Sequence, residues 1–348
     1  MKKVLALVLV FCMAAAFCVT AEAAPAEGKT VKLGLSVPVL SNPFWRAFAD
    51  QAQFVADQYG VDLTIVDANE NDTTQLDQIA GLISAGVDGI VAVPNTTAIF
   101  DSILSTCNDG GVKLMIAERF PGITPEEAEG ESYIGFIGFD NVAAGYNIAE
   151  AIYNAGARKI CAIGGKVGGA VADERSEGLH KFLDEHPDME LLTELRNGEL
   201  REYGLQDAEN FLSAYPDTLE GIWCYNDDTA MGAVQALTNA GVNGKVLVGG
   251  MDLIDEAVEA IIAGDMVYST GGQWAESAHA ITMLYDALNG FDPDPANLHI
   301  TIPGVTKENV DLYKAQFIDS KPEYDVNVYS KTLNPEAKTD DFNLTLVG

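Results

Sequence analysis

The hydrophobic and polar positions of the chain repeat one pattern from residue 31 onward. A short β-branched run is followed by a polar turn, and then by apolar residues at spacings of three and four. In the first unit the run VKLGLSV leads to the turn SNPFW and to a segment that ends at Gly60. Pro43 suits a first helical turn, and Gly60 suits a helix exit. This pattern predicts a strand followed by a helix.

Further units of the same kind follow along the chain. Strands are predicted at VDLTIVDA, DGIVAV, VKLMIA and YIGFIGF, with helices over residues 73–85 and 97–108. A second series begins at KICAIGG and continues through GIWCYND and KVLVGGMD. Alternating short strands and helices are typical of a parallel sheet that is covered by helices on both faces. The predicted fold class is therefore α/β, with two similar lobes.

The start of the chain has a different pattern. Lys2 and Lys3 precede an apolar run, which ends in Ala21-Glu22-Ala23. This order is typical of a secretory signal peptide, and the apolar run is short for a membrane span. We therefore expect a mature protein that lies outside the cytoplasm, in the periplasm or another extracytoplasmic location. A lipid anchor on Cys18 is disfavoured, because a bulky residue, Phe17, precedes it where lipoprotein signals carry a small one.

The limits of the lobes follow from the start of the second series, after about residue 140. The chain after Val267 is predicted to return to the first lobe through a helix over 275–289. After Tyr324 the sequence contains Pro335 and many polar residues, which predicts one strand and then loosely held chain. The division is a signal peptide over 1–23, an N-terminal lobe over 31–139 and 272–300, a C-terminal lobe over 140–271 and 301–330, and a tail over 331–348.

The net charge limits the kinds of partner that the protein can bind, and the cysteine content limits the disulfide bonds that it can form. Without Lys2, Lys3 and Glu22, the 20 basic and 52 acidic residues become 18 and 51, a formal charge of −33. Such a field repels nucleic acid and anionic lipid, so we expect no nucleic-acid partner. Cys161 and Cys224 lie in apolar runs, which is typical of buried, unreactive thiols. With Cys107 the mature count is odd, so a complete disulfide framework is excluded and one bridge stays open.

Polar, charged and aromatic residues follow the predicted strands. In an open parallel sheet, ligands bind beyond the carboxyl ends of the strands. Carboxylates accept hydrogen bonds from sugar hydroxyls, amides and guanidinium groups donate to them, and the C–H faces of a sugar can lie on aromatic rings. Taken singly, each residue fits a helix cap or a surface ion pair as well. The candidates are Asn42, Phe44, Trp45, Asn95, Glu118, Arg119, Arg175, Asn226, Asp227, Asp228, Asp252 and Gln273. At a strand-to-helix turn, the two aromatic side chains would be partly exposed.

These stretches resemble the periplasmic sugar-binding proteins of the ribose-binding type, which serve ABC importers and share their fold with the ligand domains of LacI-type repressors. The resemblance implies two Rossmann-like lobes that are joined by three hinge crossings and close on a monosaccharide. It also implies delivery to an ABC permease, no cofactor and a monomer, and it leaves a chemoreceptor open as a further partner. The matching stretches, within about residues 31–290, are SNPFWRAF, GLISAGVDGIVAVP, IAERF, IGFDNVAAG, ADERSEGL, YNDDTAMGAVQAL, VGGMD and GGQW.

The resemblance assigns roles residue by residue. It implies that Phe44 and Trp45 stack on the sugar, and that hydrogen bonds come from Asn42, Glu118, Arg119, Arg175, Asn226, Asp252 and Gln273. Glu118 stands where ribose binders carry the shorter aspartate. Val93 stands where some members have asparagine, which leaves Asn95 as a candidate for that role. Glu199 stands where many members have a third aromatic residue, so the second face of the sugar would be unstacked.

The sequence also bears on other ligands and on enzymatic, metal-binding and repressor functions. Within the same fold, a polyol, a nucleoside or a furanosyl signal molecule stays open as the ligand. An oxidoreductase needs G-x-G-x-x-G after a strand, and the glycines over 164–169 fit it in no register. The histidines are scattered, and no His-x-x-x-His, Cys-x-x-Cys or Gly-x-Ser-x-Gly pattern occurs, so we expect neither a metal site nor a hydrolase. A repressor would carry a DNA-binding headpiece where this chain has its predicted signal peptide.

Overall fold

The alternating pattern forms strands and helices in the predicted order. The computed structural model describes residues 30–319, 324–338 and 342–346, so the predicted signal peptide and Cys18 lie outside the described residues. The strands are β1 (Lys32–Val37), β2 (Asp62–Asp67), β3 (Gly89–Ala92), β4 (Lys113–Ala117), β5 (Tyr133–Gly138), β6 (Lys159–Ile163), β7 (Glu190–Leu195), β8 (Gly221–Cys224), β9 (Leu247–Asp252), β10 (Tyr268–Gly271), β11 (Asn297–His299) and β12 (Gly304–Val305).

Helices connect most of these strands. Single turns of 3-10 helix at Thr97–Ile99 and Gln273–Ala275 precede two of them, and a π-helical turn covers Lys314–Asp319. The α-helices are α1 (Pro43–Tyr59), α2 (Asp72–Ser84), α3 (Phe100–Gly110), α4 (Asn141–Asn154), α5 (Ala170–Glu185), α6 (Arg201–Ala214), α7 (Asp227–Asn239), α8 (Asp255–Ala263), α9 (Glu276–Leu288), α10 (Val310–Tyr313) and α11 (Val326–Tyr329).

The strands form two sheets with the same layout. The first has the order β11-β5-β4-β3-β1-β2 and is parallel throughout. The second has the order β12-β10-β9-β8-β6-β7 and is parallel except for the short β12. The interior strands β3 and β8 bury every residue, whereas the edge strands β2 and β7 bury none fully. The predicted α/β class with two parallel sheets is confirmed.

Short polar side chains begin several helices at the ends of strands. Asn42 accepts a hydrogen bond from the backbone N–H of Phe44 at 2.9 Å, and Gly60 ends α1 in the left-handed conformation. Asp140 and Asn226 cap α4 and α7 in the same way. A capped helix that follows its strand directly leaves little freedom in the turn, so the residues at the turn are held in place.

The chain crosses from one sheet with its helices to the other at three places in the described ranges. After β5 it enters α4, which packs against β8, β9 and β10 of the second sheet. After β10 it enters α9, which packs against α1 and against β3, β4 and β5 of the first sheet. The third passage leads from β11 to β12. The carboxyl ends of both sheets therefore face each other across one cleft.

The described residues after Tyr324, 325–338 and 342–346, are held by specific contacts, and for them the prediction of one strand followed by loosely held chain is wrong. They contain the short helix α11 and no strand. Asp286 of α9 accepts hydrogen bonds from the Ser330 hydroxyl at 2.7 Å and from the backbone N–H groups of Lys331 and Thr332. The Phe342 ring stacks on a histidine of the same helix. A buried carboxylate in α9, distant in sequence, thus organises a stretch that is polar in composition.

The three cysteines of the described chain are buried and form no disulfide. Burial raises the pKa of Cys107 and of Cys161 to about 12, and it raises the pKa of Cys224 as well. The predicted burial of Cys161 and Cys224 is confirmed. None of the helices in the described ranges combines the length and the apolar run that a bilayer crossing requires.

We predict that Asp286→Ala lowers the free energy of unfolding by about 2–4 kcal/mol, because it leaves one buried and two partly buried donors without their acceptor. Urea denaturation followed by circular dichroism measures the change. Asp292→Ala, in an exposed loop close by in the sequence, is the control and should stay within about 0.5 kcal/mol of the unmodified protein. Equal stability of the two variants would contradict the role given to Asp286.

Candidate ligand-binding site

A small enclosed cavity, with a volume of about 20 Å³, lies in the cleft between the two sheets. Its walls come from the ends of β4, β8 and β9 and from the starts of α1, α5, α6 and α7. Two of the lining residues, Val171 and Tyr225, were not predicted. The lining residues are Asn42, Phe44, Trp45, Glu118, Arg119, Val171, Arg175, Glu199, Tyr225, Asn226 and Asp252. Nine of the eleven candidates for sugar binding that the sequence provides, Glu199 included, meet in this cavity.

Two predicted residues lie outside the enclosed cavity. Asn95 lines an adjoining part of the cleft, with a volume of about 220 Å³, and donates to the carboxylate of Asp72 at 2.6 Å. Gln273 is fully buried and donates to Oδ1 of Asp252 at 2.9 Å. Gln273 therefore orients a residue of the cavity wall, and Asn95 organises the mouth of the cleft.

Phe44 and Trp45 form a corner of the cavity at the start of α1. Their rings lie 4.7 Å apart at an interplanar angle of 81°. Both are buried, with 4% and 7% of their surface exposed, so the prediction of partial exposure is wrong. Both rings also pack on the ring of Phe48, one turn further along α1, with ring centres 6.3 and 5.7 Å away. Because the rings are perpendicular, only one of them can lie flat on a given face of a ligand.

Arg119 connects the two lobes. Its Nη1 donates to the backbone carbonyls of Pro94, at 3.0 Å, and of Asn95. Its Nη2 lies 3.7 Å from a carboxylate oxygen of Glu199, which belongs to the other side of the cleft. The guanidinium carbon also lies 5.7 Å from the centre of the Trp45 ring. The ion pair exists only when the lobes are close together, so it favours the closed arrangement.

Arg175 of α5 is fixed on the opposite wall. Its Nε donates to Asn141 at 3.0 Å, and its Nη1 donates to the backbone carbonyl of Tyr225 at 3.0 Å. The guanidinium carbon lies 4.7 Å from the centre of the Tyr225 ring. These contacts orient a buried cation toward the cavity before any ligand enters. A planar donor held in this way recognises hydroxyl or carboxylate oxygens in a defined direction.

The acidic groups of the cavity have unusual titration behaviour. Burial raises the pKa of Asp252 to about 7, although the charge of Arg175 acts in the opposite direction. Burial likewise raises the pKa of Glu118 to about 8, although the charge of Arg175 acts to lower it. Behind Asp252, the carboxylate of Asp227 accepts from the Ser269 hydroxyl at 2.8 Å, and burial raises its pKa as well. The cavity thus has few net charges near neutral pH, which suits an uncharged ligand.

Tyr225 and Glu276 shape the site but are not among the site residues predicted from the sequence. Tyr225 lies in the motif YNDDTAMGA, directly before Asn226, so its position at a strand end was a usable signal. Asn226 itself caps α7 and donates to the backbone carbonyl of Glu199 at 3.0 Å. Glu276, which accepts a hydrogen bond from the backbone N–H of Glu118 at 3.2 Å, stands at the start of a helix and carries no signal in the sequence.

The described ranges contain no cluster of three histidine, cysteine, aspartate or glutamate side chains that could hold a metal ion. The side chains that surround the cavity offer hydrogen-bond donors, hydrogen-bond acceptors and aromatic surface. Such an arrangement can recognise a small ligand with several hydroxyl groups.

Comparison with known proteins gives the class. The family model for the periplasmic binding protein domain matches residues 33–292, so the chain belongs to this family of periplasmic solute-binding proteins. It is 27% identical to the xylitol-binding protein of Mycolicibacterium smegmatis, over 82% of this chain and 80% of that protein. It is also 27% identical to the ribose import binding protein of Bacillus subtilis, over 67% of this chain and 73% of that protein.

A solved structure has the same architecture. The ABC transporter periplasmic solute-binding protein from Actinobacillus succinogenes, with bound D-allose, superposes with a TM-score of 0.76 at 26% identity. The match covers 82% of this chain and all of that one. The predicted membership in the ribose-binding type of periplasmic binding protein, and with it the role of an ABC importer component, is confirmed.

We predict that Asp252→Asn makes the stability of the protein less dependent on pH between about pH 4 and pH 7. A carboxyl whose pKa is raised on folding costs stability as the pH rises from its unfolded value to its folded value. The unmodified protein should therefore lose up to about 4 kcal/mol from this group between pH 4 and pH 7, at about 1.36 kcal/mol per pKa unit. The asparagine variant, which still accepts from Gln273, should lose correspondingly less.

Denaturant unfolding at pH 4.5, 6 and 8 measures this difference. Asp292→Asn, which removes an exposed carboxyl far from the cavity in the fold, is the control and should follow the unmodified protein. A pH dependence for Asp252→Asn that is identical to that of the control would show that Asp252 is charged at every pH tested.

Proposed function

We propose that the protein captures an uncharged monosaccharide or polyol between its two lobes, in the enclosed cavity together with the adjoining part of the cleft of about 220 Å³, and delivers it to an ABC permease. The observation that carries the proposal is the meeting of Arg175 and Asp252 from one lobe with Trp45 and Glu118 from the other around a single cavity. Both lobes contribute contacts, so a ligand stabilises the closed arrangement and closure encloses the ligand.

The lining favours hydroxyl groups. A hydroxyl both donates and accepts, and the cavity offers rigid donors at Arg119 and Arg175 beside acceptors at Asp252 and Glu118. The relatives named above are a xylitol-binding and a ribose-binding protein, and the solved structure holds D-allose. Linear and cyclic polyhydroxy compounds of five or six carbons are therefore the first candidates.

The aromatic corner argues against a nucleoside. A base gains most when parallel rings enclose both of its faces, and Phe44 and Trp45 meet at 81°. On the side where a third aromatic residue was considered, Glu199 instead forms an ion pair with Arg119. A ligand with one apolar face and polar edges fits this cavity better than a flat base does.

The same proposal includes the cellular setting. The signal peptide over residues 1–23 directs export, Cys18 carries no lipid, and the mature protein acts as a monomer. The family is one of solute-binding proteins, and we assign the chain no enzymatic activity. A chemoreceptor is a further partner that closure would make available, since closure changes the surface on both sides of the cleft.

We predict that a sugar or polyol raises the melting temperature of the mature protein after it has been refolded free of carried-over ligand. A compound present at about 100 times its Kd stabilises the folded state by about 2.7 kcal/mol. The panel comprises xylitol, D-ribose, D-xylose, D-allose, myo-inositol, amino acids and nucleosides. A shift with sugars or polyols alone supports the proposal. A shift with a nucleoside or an amino acid alone would leave the fold intact and overturn the proposed ligand class.

We predict that Arg175→Lys weakens binding of the compound that gives the largest shift by about 100-fold, equivalent to about 2.7 kcal/mol. Lysine retains the charge but loses the planar donor that is fixed between Asn141 and Tyr225. Isothermal titration calorimetry measures the affinity, and circular dichroism verifies folding.

The matched control is Arg196→Lys, in the same lobe, where the guanidinium pairs with Asp173 at 2.6 Å and does not line the enclosed cavity. Its affinity should stay within about threefold of the unmodified protein. An Arg175→Lys variant that binds as tightly as this control would place the ligand elsewhere.

A further inference from the structure

A second carboxyl group lies directly behind Glu118. Glu276, the first residue of α9, is fully buried, and its Oε1 accepts a hydrogen bond from the backbone N–H of Glu118 at 3.2 Å. The backbone of Glu118 has φ of +62°, a conformation that non-glycine residues adopt rarely. Helix α9 packs across β4, so the wall of the cavity and this second carboxyl group form one rigid unit.

The hydrogen bonds of these two groups are incomplete if both are charged. Oε1 of Glu118 and Oε2 of Glu276 are buried, and neither finds a hydrogen-bond donor among the described residues. A carboxylate can only accept, whereas a protonated carboxyl group can also donate. A single proton on the pair supplies a donor where there are now only acceptors.

The surrounding charges do not favour two carboxylates at this place. The charged groups that act on Glu118 are Arg119 beside it, Arg175 of α5, and Asp252 at the end of β9. The charged group that acts on Glu276 is Glu118, which has the same sign. Two buried carboxylates of like charge destabilise each other, and the guanidinium groups are on the cavity side of Glu118.

We propose that Glu276 is a positioning residue that keeps its proton in the closed protein, so that Glu276 and Glu118 together carry at most one negative charge. This inference rests on the proposed function, because Glu118 is the group that meets the hydroxyls of the ligand. A wall that holds at most one charge favours an uncharged polyhydroxy compound and disfavours a cationic one such as an amino sugar. Glu276 thereby sets the ligand class without touching the ligand.

The titration of the pair agrees with this arrangement. Burial raises the pKa of Glu276 well above its usual value, and the neighbouring Glu118 raises it further. The pair is therefore protonated to a greater degree in the folded than in the unfolded chain. The stability of the folded chain then falls as the pH rises above the usual range of a glutamate.

The first test needs no ligand. Unfolding of the full chain by urea is measured between about pH 5 and pH 9.5 for the unmodified protein, for Glu276→Gln and for Ser277→Ala. Glutamine still accepts from the N–H of Glu118 but cannot ionise. Relative to Glu276→Gln, the unfolding constant of the unmodified protein should rise by up to about tenfold per pH unit, which corresponds to one proton.

Ser277→Ala is the control, because Ser277 is buried, adjacent and without an ionisable group. Its unfolding constant should keep a fixed ratio to that of the unmodified protein at every pH. A fixed ratio for Glu276→Gln as well would overturn the proposal, since Glu276 would then be charged in the folded state.

A second test keeps the proposal falsifiable if Glu276→Gln folds poorly. Infrared spectra at pH 7.5 detect the carbonyl stretch of protonated carboxyl groups, which exposed carboxylates do not contribute. The unmodified protein and Ser277→Ala should share this band, and Glu276→Asp should retain it, whereas Glu276→Gln should weaken it. An unchanged band in Glu276→Gln overturns the proposal. If no sugar or polyol binds the unmodified protein, the proposed function fails, while these two ligand-free tests still decide the state of Glu276.

Discussion

The buried guanidinium of Arg175 is the interaction on which the rest of the cavity depends. Its charge acts on Glu118 from the first lobe and on Asp252 from the second, and it limits how far burial raises the pKa of each. Asn141 and the backbone carbonyl of Tyr225 hold it in place by accepting hydrogen bonds from its Nε and Nη1, respectively. Without this fixed cation, closing the lobes would bring carboxyl groups together in a space with little water, at a large cost in free energy.

The two-lobed architecture brings the charged and aromatic residues of the cavity together. Parallel strands place the residues after their carboxyl ends at one edge, and two sheets that face each other bring two such edges together. Capped helices then hold each turn, as Asn42 does for α1 and Asn226 does for α7. The strands and helices form a rigid framework, and the short turns between them carry most of the side chains that line the cavity. The ion pair between Arg119 and Glu199 adds a contact that depends on closure.

Much of this could be predicted from the sequence, because the repeated strand-helix pattern is local. The turn SNPFW and the motif YNDDTAMGA placed Asn42 and Asn226 at the carboxyl ends of strands, and parallel pairing brought those ends together. What failed depends on packing between distant segments. The ordered segment after Tyr324 requires Asp286, 38 positions earlier in the chain. The role of Gln273 likewise follows only from the structure, in which its side chain donates a hydrogen bond to Asp252.

The most direct test of the central claim is a crystal structure of the protein grown with the panel compound that binds most tightly. We expect one uncharged polyhydroxy molecule between the lobes, with its oxygens on Arg175 and Asp252 and an apolar face on Phe44 or Trp45. A bound molecule that contacts only one lobe, or that lies outside the cleft, would contradict the proposed function.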